Sequence, residues 1–230
     1  MRDWQPWLGL PLWAWLFVLP TLLAVACAVA PGPMAAALRP VWRVLDRVYL
    51  AAGVVAACGM VTILGLIVAQ MIARWAGITF SGSTNYAGYA MAATSFFALA
   101  HALTRGAHIR VGILLNVPSP RFTYGLDAVA TWIAALTATY FARFAVKANI
   151  LSEMLNDRTQ GQDYLPEWVV ALFSLDLAGI GAAEGWVYTP IWIPQLAMSA
   201  GAILLAACLW DMLTRLLATR ETAIRGEVVE

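Results

Sequence analysis

Few residues of this sequence are suited to chemistry, and the densest group of them follows an apolar stretch near the middle of the chain. Arg105, His108 and Arg110 fall within the run RGAHIR, and His101 precedes this run by about one helical turn. Protein metal sites take three or four Cys, His or carboxylate ligands, and the segment between the two histidines contains no Cys, Asp or Glu. Guanidinium groups instead favour anionic headgroups and backbone carbonyls. We therefore expect this basic corner to make contacts and fix position, and we do not expect it to catalyse a reaction.

The elements that carry these residues are those of a membrane protein. The chain is 62% hydrophobic and 12% charged, whereas a soluble domain is roughly 25% charged. Its eleven Trp residues suit an extensive membrane–water boundary. The net charge of +1 does not indicate a nucleic-acid partner. Cys27, Cys58 and Cys208 lie in apolar runs without metal-ligand spacing, so we predict no cofactor, metal site or disulfide framework.

Hydropathy predicts an all-α, polytopic protein with four core transmembrane helices. The bilayer core requires about 20 apolar residues, and four stretches of suitable character lie at about 48–73, 86–103, 122–144 and from about 196 to 210. The apolar N-terminal arm over 8–30 is interrupted by proline, which ends or kinks a helix. An additional span is favoured there, with a re-entrant or surface segment and a cleaved signal peptide as alternatives.

We divide the chain into three parts on this basis. Residues 1–47 form the hydrophobic arm and a basic connector containing Arg39, Arg43 and Arg47, which lies at the membrane interface or is simply solvated. Residues 48–217 form the membrane domain, with an enlarged outer loop over 148–188. Residues 218–230 are a solvated tail.

The distribution of basic residues predicts the orientation of the spans. When the basic corner is placed in the cytoplasm, nine Lys and Arg residues lie on that side and five on the other. Short cytoplasmic loops carry the excess of Lys and Arg in membrane proteins. We therefore expect the 105–121 loop and the C-terminus to be cytoplasmic, and the N-terminus to lie outside if the arm spans.

Two ordered motifs give the chain a family resemblance. The first is the corner RGAHIRV beginning at Arg105, and the second is PIWIPQLAMSAG, beginning at Pro190, which opens the last helix. Together with the order of the helices over about 45–215, they resemble the small permease subunit, DctQ-like, of tripartite ATP-independent periplasmic (TRAP) transporters. The chain departs from that pattern in its N-terminal arm, in its enlarged outer loop and at Ser83-Thr84-Asn85, where acidic residues are usual.

The resemblance implies a transport role without catalysis. The chain would be the small transmembrane subunit of a binding-protein-dependent, ion-gradient-driven importer in the bacterial inner membrane. Its partners would be the large permease subunit, which it scaffolds, the periplasmic substrate-binding protein, which it helps to dock, and membrane lipids. A membrane redox or quinone-site protein using His101 and His108, and a stand-alone assembly protein, are the alternatives.

Two groups of residues are the candidate contacts. For the large subunit or lipid headgroups they are Arg105, His108, Arg110, Arg121 and Asp127. Asp127 either pairs with one of the three arginines or is an exposed helix-end carboxylate. For a positive rim that docks the binding protein they are Arg74, Arg143, Lys147, Arg158 and Trp192. Trp192 also fits the aromatic belt at the membrane boundary.

Overall fold

The computed structural model describes residues 6–105, 120–182 and 184–220, and most of these are helical. The helices are α1 (Leu19–Val29), α2 (Pro31–Trp75), α3 (Ser83–Thr104), α4 (Pro120–Met154), α5 (Glu167–Phe173), α6 (Leu177–Ala182) and α7 (Trp192–Thr219), and a π-helical turn covers Ala14–Val18. The strands are β1 (Pro6–Trp7), β2 (Leu10–Pro11), β3 (Tyr164–Pro166) and β4 (Trp186–Tyr188). They form two short antiparallel pairs, β1–β2 and β3–β4. The predicted all-α membrane architecture is confirmed.

Three helical stretches are long and apolar enough to cross a membrane, namely α2, Phe122–Met154 within α4, and α7. The remaining predicted span, α3, has 22 residues. This is about 33 Å of helix, which is long enough to cross a membrane. It is less apolar than the other three because it carries tyrosines, hydroxyl residues, Asn85 and His101. Most of its side chains are half-buried, so α3 is surrounded mainly by protein.

The N-terminal part of the chain differs in extent from the prediction. The arm is helical over Ala14–Val29, which is shorter than the about 20 residues that a straight span requires. Helix α2 then runs for 45 residues with Pro40 inside it. The basic connector and the first predicted span are therefore one continuous helix, and the boundary drawn after residue 47 falls within it.

The described chain divides into two compact units, and each of α2, α3, α4 and α7 contributes to both. Unit 1 comprises Met1–Ala52, Leu99–Ala142 and Ala202–Glu230, and unit 2 comprises Gly53–Ala98 and Arg143–Gly201. The core of unit 1 is formed by Tyr49, Ala100, Leu103, Cys208 and Met212. Helix α1 packs in this unit, where the Trp132 indole donates to the Thr21 hydroxyl at 3.4 Å.

Unit 2 depends on small residues that allow helices to approach closely. A Cβ atom built on Gly201 of α7 would lie 2.6–2.7 Å from the Cβ, carbonyl carbon and carbonyl oxygen of Phe96 on α3. A Cβ on Gly59 of α2 would clash with the hydroxyl of Thr94, which, like Phe96, lies on α3. Ser199 of α7 donates to the Ala145 carbonyl of α4 at 3.2 Å. Close backbone approach at small residues is the usual means of packing membrane helices.

Replacing Gly201 with alanine is expected to destabilise the protein. The added methyl group meets the backbone of Phe96, which cannot move without distorting α3, and overpacking of this kind costs about 1–3 kcal/mol. Gly65→Ala is the matched control, because a Cβ on Gly65 of α2 meets no atom within 4 Å. The melting temperature of the detergent-solubilised protein should fall for Gly201→Ala, by about 2–4 °C per kcal/mol. It should stay constant or rise for Gly65→Ala, and equal shifts would contradict the packing described.

Candidate functional site

A fully buried carboxylate, that of Asp163, lies in the loop that follows α4. Asn85 donates its Nδ2 to Asp163 Oδ1 at 2.5 Å, and the Tyr89 hydroxyl donates to Oδ2 at 2.6 Å. The Thr159 hydroxyl also donates to Oδ2, at 3.1 Å. We call these four residues the Asp163 hub. It joins the first two turns of α3 to a loop more than seventy residues further along the chain.

Two glycines allow the loop and the start of α3 to meet. Gly82 adopts a φ of +76°, and a Cβ there would lie 2.7 Å from the Gln162 carbonyl oxygen and 2.8 Å from the Asp163 Cα. A Cβ on Gly161 would overlap the Asn85 amide. The left-handed conformation and the lack of space both favour glycine. The Ser81 hydroxyl adds a hydrogen bond to the Gln162 carbonyl at 3.1 Å.

The same loop is tied to the segment that leads into α7. The Tyr86 hydroxyl of α3 donates to the Tyr164 carbonyl at 2.6 Å and accepts from the Tyr164 N–H at 2.9 Å. The Thr159 N–H donates to the Thr189 carbonyl at 3.0 Å, and the Thr189 N–H donates to the Asp163 carbonyl at 3.3 Å. Within unit 2, the hub therefore connects the start of α3, the loop after α4 and the segment before α7.

The electrostatics of Asp163 are those of a structural anion. Burial raises its pKa, but the hydrogen bonds donated by Tyr89 and Asn85 outweigh burial, so the pKa of this carboxyl lies below its usual value. A carboxylate that is ionised, saturated with donors and closed to solvent is a poor general acid or base. We therefore assign it a positioning role.

A second polar group lies in unit 1, around Arg215 of α7. Arg215 donates a hydrogen bond from Nε to Asp211 Oδ1 at 3.1 Å, and its Nη2 forms an ion pair with Asp211 Oδ2 at 2.9 Å. Its Nη2 also contacts Asp46 Oδ1 of α2 at 2.7 Å and donates to the Trp42 carbonyl at 3.1 Å. The guanidinium lies 5.4 Å from the centroid of the Trp42 ring. We call Trp42, Asp46, Asp211 and Arg215 the Arg215 cluster, and it connects α2 to α7.

The residues of the predicted basic corner are described only in part. Arg105 is exposed in the turn that ends α3, and Asp127 is half-buried on α4. His108 and Arg110 lie outside the described residues, as does the side chain of Arg121. The predicted contacts of this group stay predictions.

The residues of the predicted docking rim differ in accessibility. Arg74 is exposed at the end of α2, and Arg143 and Lys147 are half-buried on α4. Arg158 donates to the Tyr188 carbonyl at 3.1 Å and to Asn156 Oδ1 at 3.1 Å, so part of its function is to hold the loop. Trp192 is buried, and its carbonyl accepts a hydrogen bond from Asn149 at 2.7 Å. Its indole therefore packs inside unit 2.

Sequence reasoning missed both the Asp163 hub and the Arg215 cluster. The pair Asp211 and Arg215 stands at the i,i+4 spacing of helical ion pairs, and this signal was available from the sequence. No local signal joins Asp163 to Asn85.

The long apolar helices, with polar groups concentrated near their ends, define a polytopic helical membrane protein. Across the described ranges, no cluster of three or more His, Cys, Asp or Glu residues is arranged to hold a metal ion. The family model of the tripartite ATP-independent periplasmic transporters, DctQ component, matches residues 63–184, more than half of the chain. The chain therefore belongs to the DctQ family, a family of transporter components. Neither a curated protein nor a solved structure matches it.

Asp163→Asn is expected to loosen the loop, because the neutral amide is a weaker acceptor for three partly buried donors. The loss of a buried hydrogen bond to a charged group is worth about 1–3 kcal/mol, and the melting temperature should fall accordingly. Asp157→Asn is the matched control, since the Asp157 side chain is exposed in the same loop. An equal melting temperature for the two variants would contradict the role of the hub.

The pH dependence of this stabilisation follows from the direction of the pKa shift. Because the pKa of Asp163 is lowered on folding, its contribution is present above the ordinary aspartate pKa of about 3.9. It is lost as the pH falls through the folded-state value. The difference in melting temperature between the natural protein and Asp163→Asn should therefore be constant near neutral pH and shrink below about pH 4.

Arg215→Ala is expected to be more destabilising than removal of the exposed charge of Asp46. It leaves the almost fully buried Asp211 carboxylate without its counterion, and such a loss costs about 3–5 kcal/mol in a fully buried pair. Part of that cost is screened, because Arg215 is half-buried. Asp46→Asn, which removes an exposed carboxylate, should cost at most about 1 kcal/mol. The double variant Arg215→Met, Asp211→Leu should recover much of the stability lost in Arg215→Ala, and no recovery would argue against the buried charge as the cause.

Proposed function

We propose that this protein is the small transmembrane subunit of a binding-protein-dependent secondary importer driven by an ion gradient. The observation that carries the proposal is its membership of the family of the DctQ component of tripartite transporters. In this role it scaffolds a large permease subunit and helps to dock a periplasmic substrate-binding protein. The proposed location is the bacterial inner membrane, with the C-terminus in the cytoplasm.

The form of the helices supports a scaffold role. Transport sites in secondary transporters are typically built from discontinuous helices with unwound backbone at the middle of the membrane. In the described parts of the chain, α2, α3, α4 and α7 are continuous helices. The Asp163 hub joins the start of α3 to the loop after α4, and the Arg215 cluster joins the last third of α7 to α2. These features favour a fixed frame over a moving carrier.

The surface of α2 supports contact with another membrane component. Only 11% of its most apolar window is buried inside the chain, and Met60, Val61 and Leu64 are among its exposed residues. This face is available to the large permease and to lipid. We further propose that Arg105, His108, Arg110, Arg121 and Asp127 contact the large subunit or lipid headgroups.

The proposed docking surface for the binding protein is centred on the exposed Arg74 and the half-buried Arg143 and Lys147. Arg158 and Trp192 support it from within, because Arg158 holds the loop and Trp192 packs inside unit 2. The positive charge of the first three residues would steer an acidic partner towards this side of the protein.

Deletion of the gene and co-purification of the protein test the proposal. An affinity-tagged copy should co-purify with a large multi-span permease from its own membrane. Uptake of the solute carried by the cognate binding protein should be lost on deletion and restored by the chain supplied in trans. The control is complementation with Arg220→Ala, an exposed arginine beyond the end of α7, which should restore uptake fully. Unimpaired uptake in the deletion strain would overturn the proposal.

A further inference from the structure

The enlarged outer loop carries an exposed apolar ridge that the proposed function does not use. Trp168, Leu172 and Phe173 of α5 are each about half-exposed, and Leu175, which follows the helix, is 83% exposed. We call these four residues the α5 ridge. No charged residue occurs from 168 to 175. An uncharged apolar surface of this kind marks an interaction site.

The polar groups beneath the ridge are already paired with one another. The Ser174 hydroxyl donates to the Val170 carbonyl at 2.9 Å, and the Asp176 N–H donates to the Ala171 carbonyl at 3.0 Å. The Asp176 carboxylate accepts from the Gly179 N–H at 3.0 Å. The ridge therefore offers few hydrogen-bonding groups to a partner, whereas protein interfaces of typical size carry about ten hydrogen bonds and a polar rim.

The residue at the tip of the ridge is conformationally unusual. Leu175 has a φ of +56°, a left-handed conformation that glycine or asparagine adopts at lower cost at a helix end. Leucine is poorly suited to this place in water, since it is both strained and largely exposed. An apolar surrounding for its side chain would offset that cost.

The ridge is separated from the start of α7 by only a short stretch of chain. Strands β3 and β4 are joined by only three residue pairs, from Tyr164–Tyr188 to Pro166–Trp186, and α5 begins directly after β3. Trp186 precedes Thr189 by three residues, about 10 Å at roughly 3.3 Å per residue, and α7 begins three residues after Thr189. The strand at the base of the ridge therefore lies only a few residues along the chain from a helix that is long and apolar enough to cross the membrane.

We propose that the α5 ridge inserts into the lipid surface, at the boundary between headgroups and acyl chains, and anchors the outer loop there. Short helices with apolar faces occupy this layer to a depth of about 5–10 Å. Trp168 lies on the ridge and the exposed Trp186 at its base, and indoles favour the same layer. The anchor needs no other subunit, so it can be tested separately from the proposed function.

Spin labelling of the full-length chain in vesicles tests this anchor. The background is Cys58→Ala, because Cys58 is exposed whereas Cys27 and Cys208 are buried. Leu172→Cys carries a nitroxide, Leu64→Cys on the exposed face of α2 is the hydrocarbon control, and Gln160→Cys is the exposed-loop control. The protein is reconstituted alone into vesicles of phosphatidylethanolamine and phosphatidylglycerol. Collision of the label with oxygen, which concentrates in lipid, is compared with collision with a water-soluble nickel chelate.

The label at Leu172 should collide preferentially with oxygen, with an oxygen-to-nickel ratio severalfold above that at Gln160 and closer to that at Leu64. A ratio like that at Gln160 would place the ridge in water and overturn the proposal. Low collision with both reagents would mean that protein covers the ridge, and this outcome overturns it as well. Leu175→Cys is an independent second position, and its label should give the same result as that at Leu172.

Discussion

Hydrocarbon offers no hydrogen-bonding partners, and this constraint governs the whole described structure. Each backbone polar group in a span must be satisfied within its own helix, and several hydroxyl side chains follow the same rule. The hydroxyls of Thr62, Ser95, Thr137 and Thr139 each donate to the carbonyl four residues earlier in the same helix. A helix satisfied in this way needs no particular neighbour for its polar groups. What positions the helices relative to one another must therefore come from shape and from contacts near their ends.

The Asp163 hub and the Arg215 cluster position the helices in different ways. The Asp163 hub places one anion among neutral donors from α3 and the loop, so its energy comes from hydrogen bonds to a charge. The Arg215 cluster pairs a cation with one buried and one exposed carboxylate. A buried ion pair contributes little net stability, but breaking it is costly. A geometry that is costly to break selects one arrangement of α2 against α7 within unit 1, and the hub has the same effect on α3 and the loop in unit 2.

The helices of the membrane domain could be predicted from hydropathy, but their lengths could not. The predicted spans 48–73, 86–103 and 122–144 lie within α2, α3 and α4, yet α2 begins at Pro31 and α4 ends at Met154. Hydropathy reports the apolar segment, whereas a helix continues through any sequence with adequate propensity, such as the arginine-containing turn around Arg43. Asp211 and Arg215 could have been predicted as a pair from their spacing. The Asp163 hub could not, because Asn85 and Asp163 are separated by 78 positions and only the folded loop brings them together.

Of the helices α2 and α7, the more apolar one is the less buried within the chain. The most apolar window, in α2, is 11% buried, whereas the less apolar window in α7 is 44% buried. Helix α3, the least apolar of the four predicted spans, has mainly half-buried side chains. Lipid tolerates only apolar side chains, so the polar helix must be enclosed by the others and the most apolar one must face outward. A chain arranged in this way leaves the apolar surface of α2 largely exposed, and this is the surface that the proposed function assigns to lipid and to a larger membrane partner.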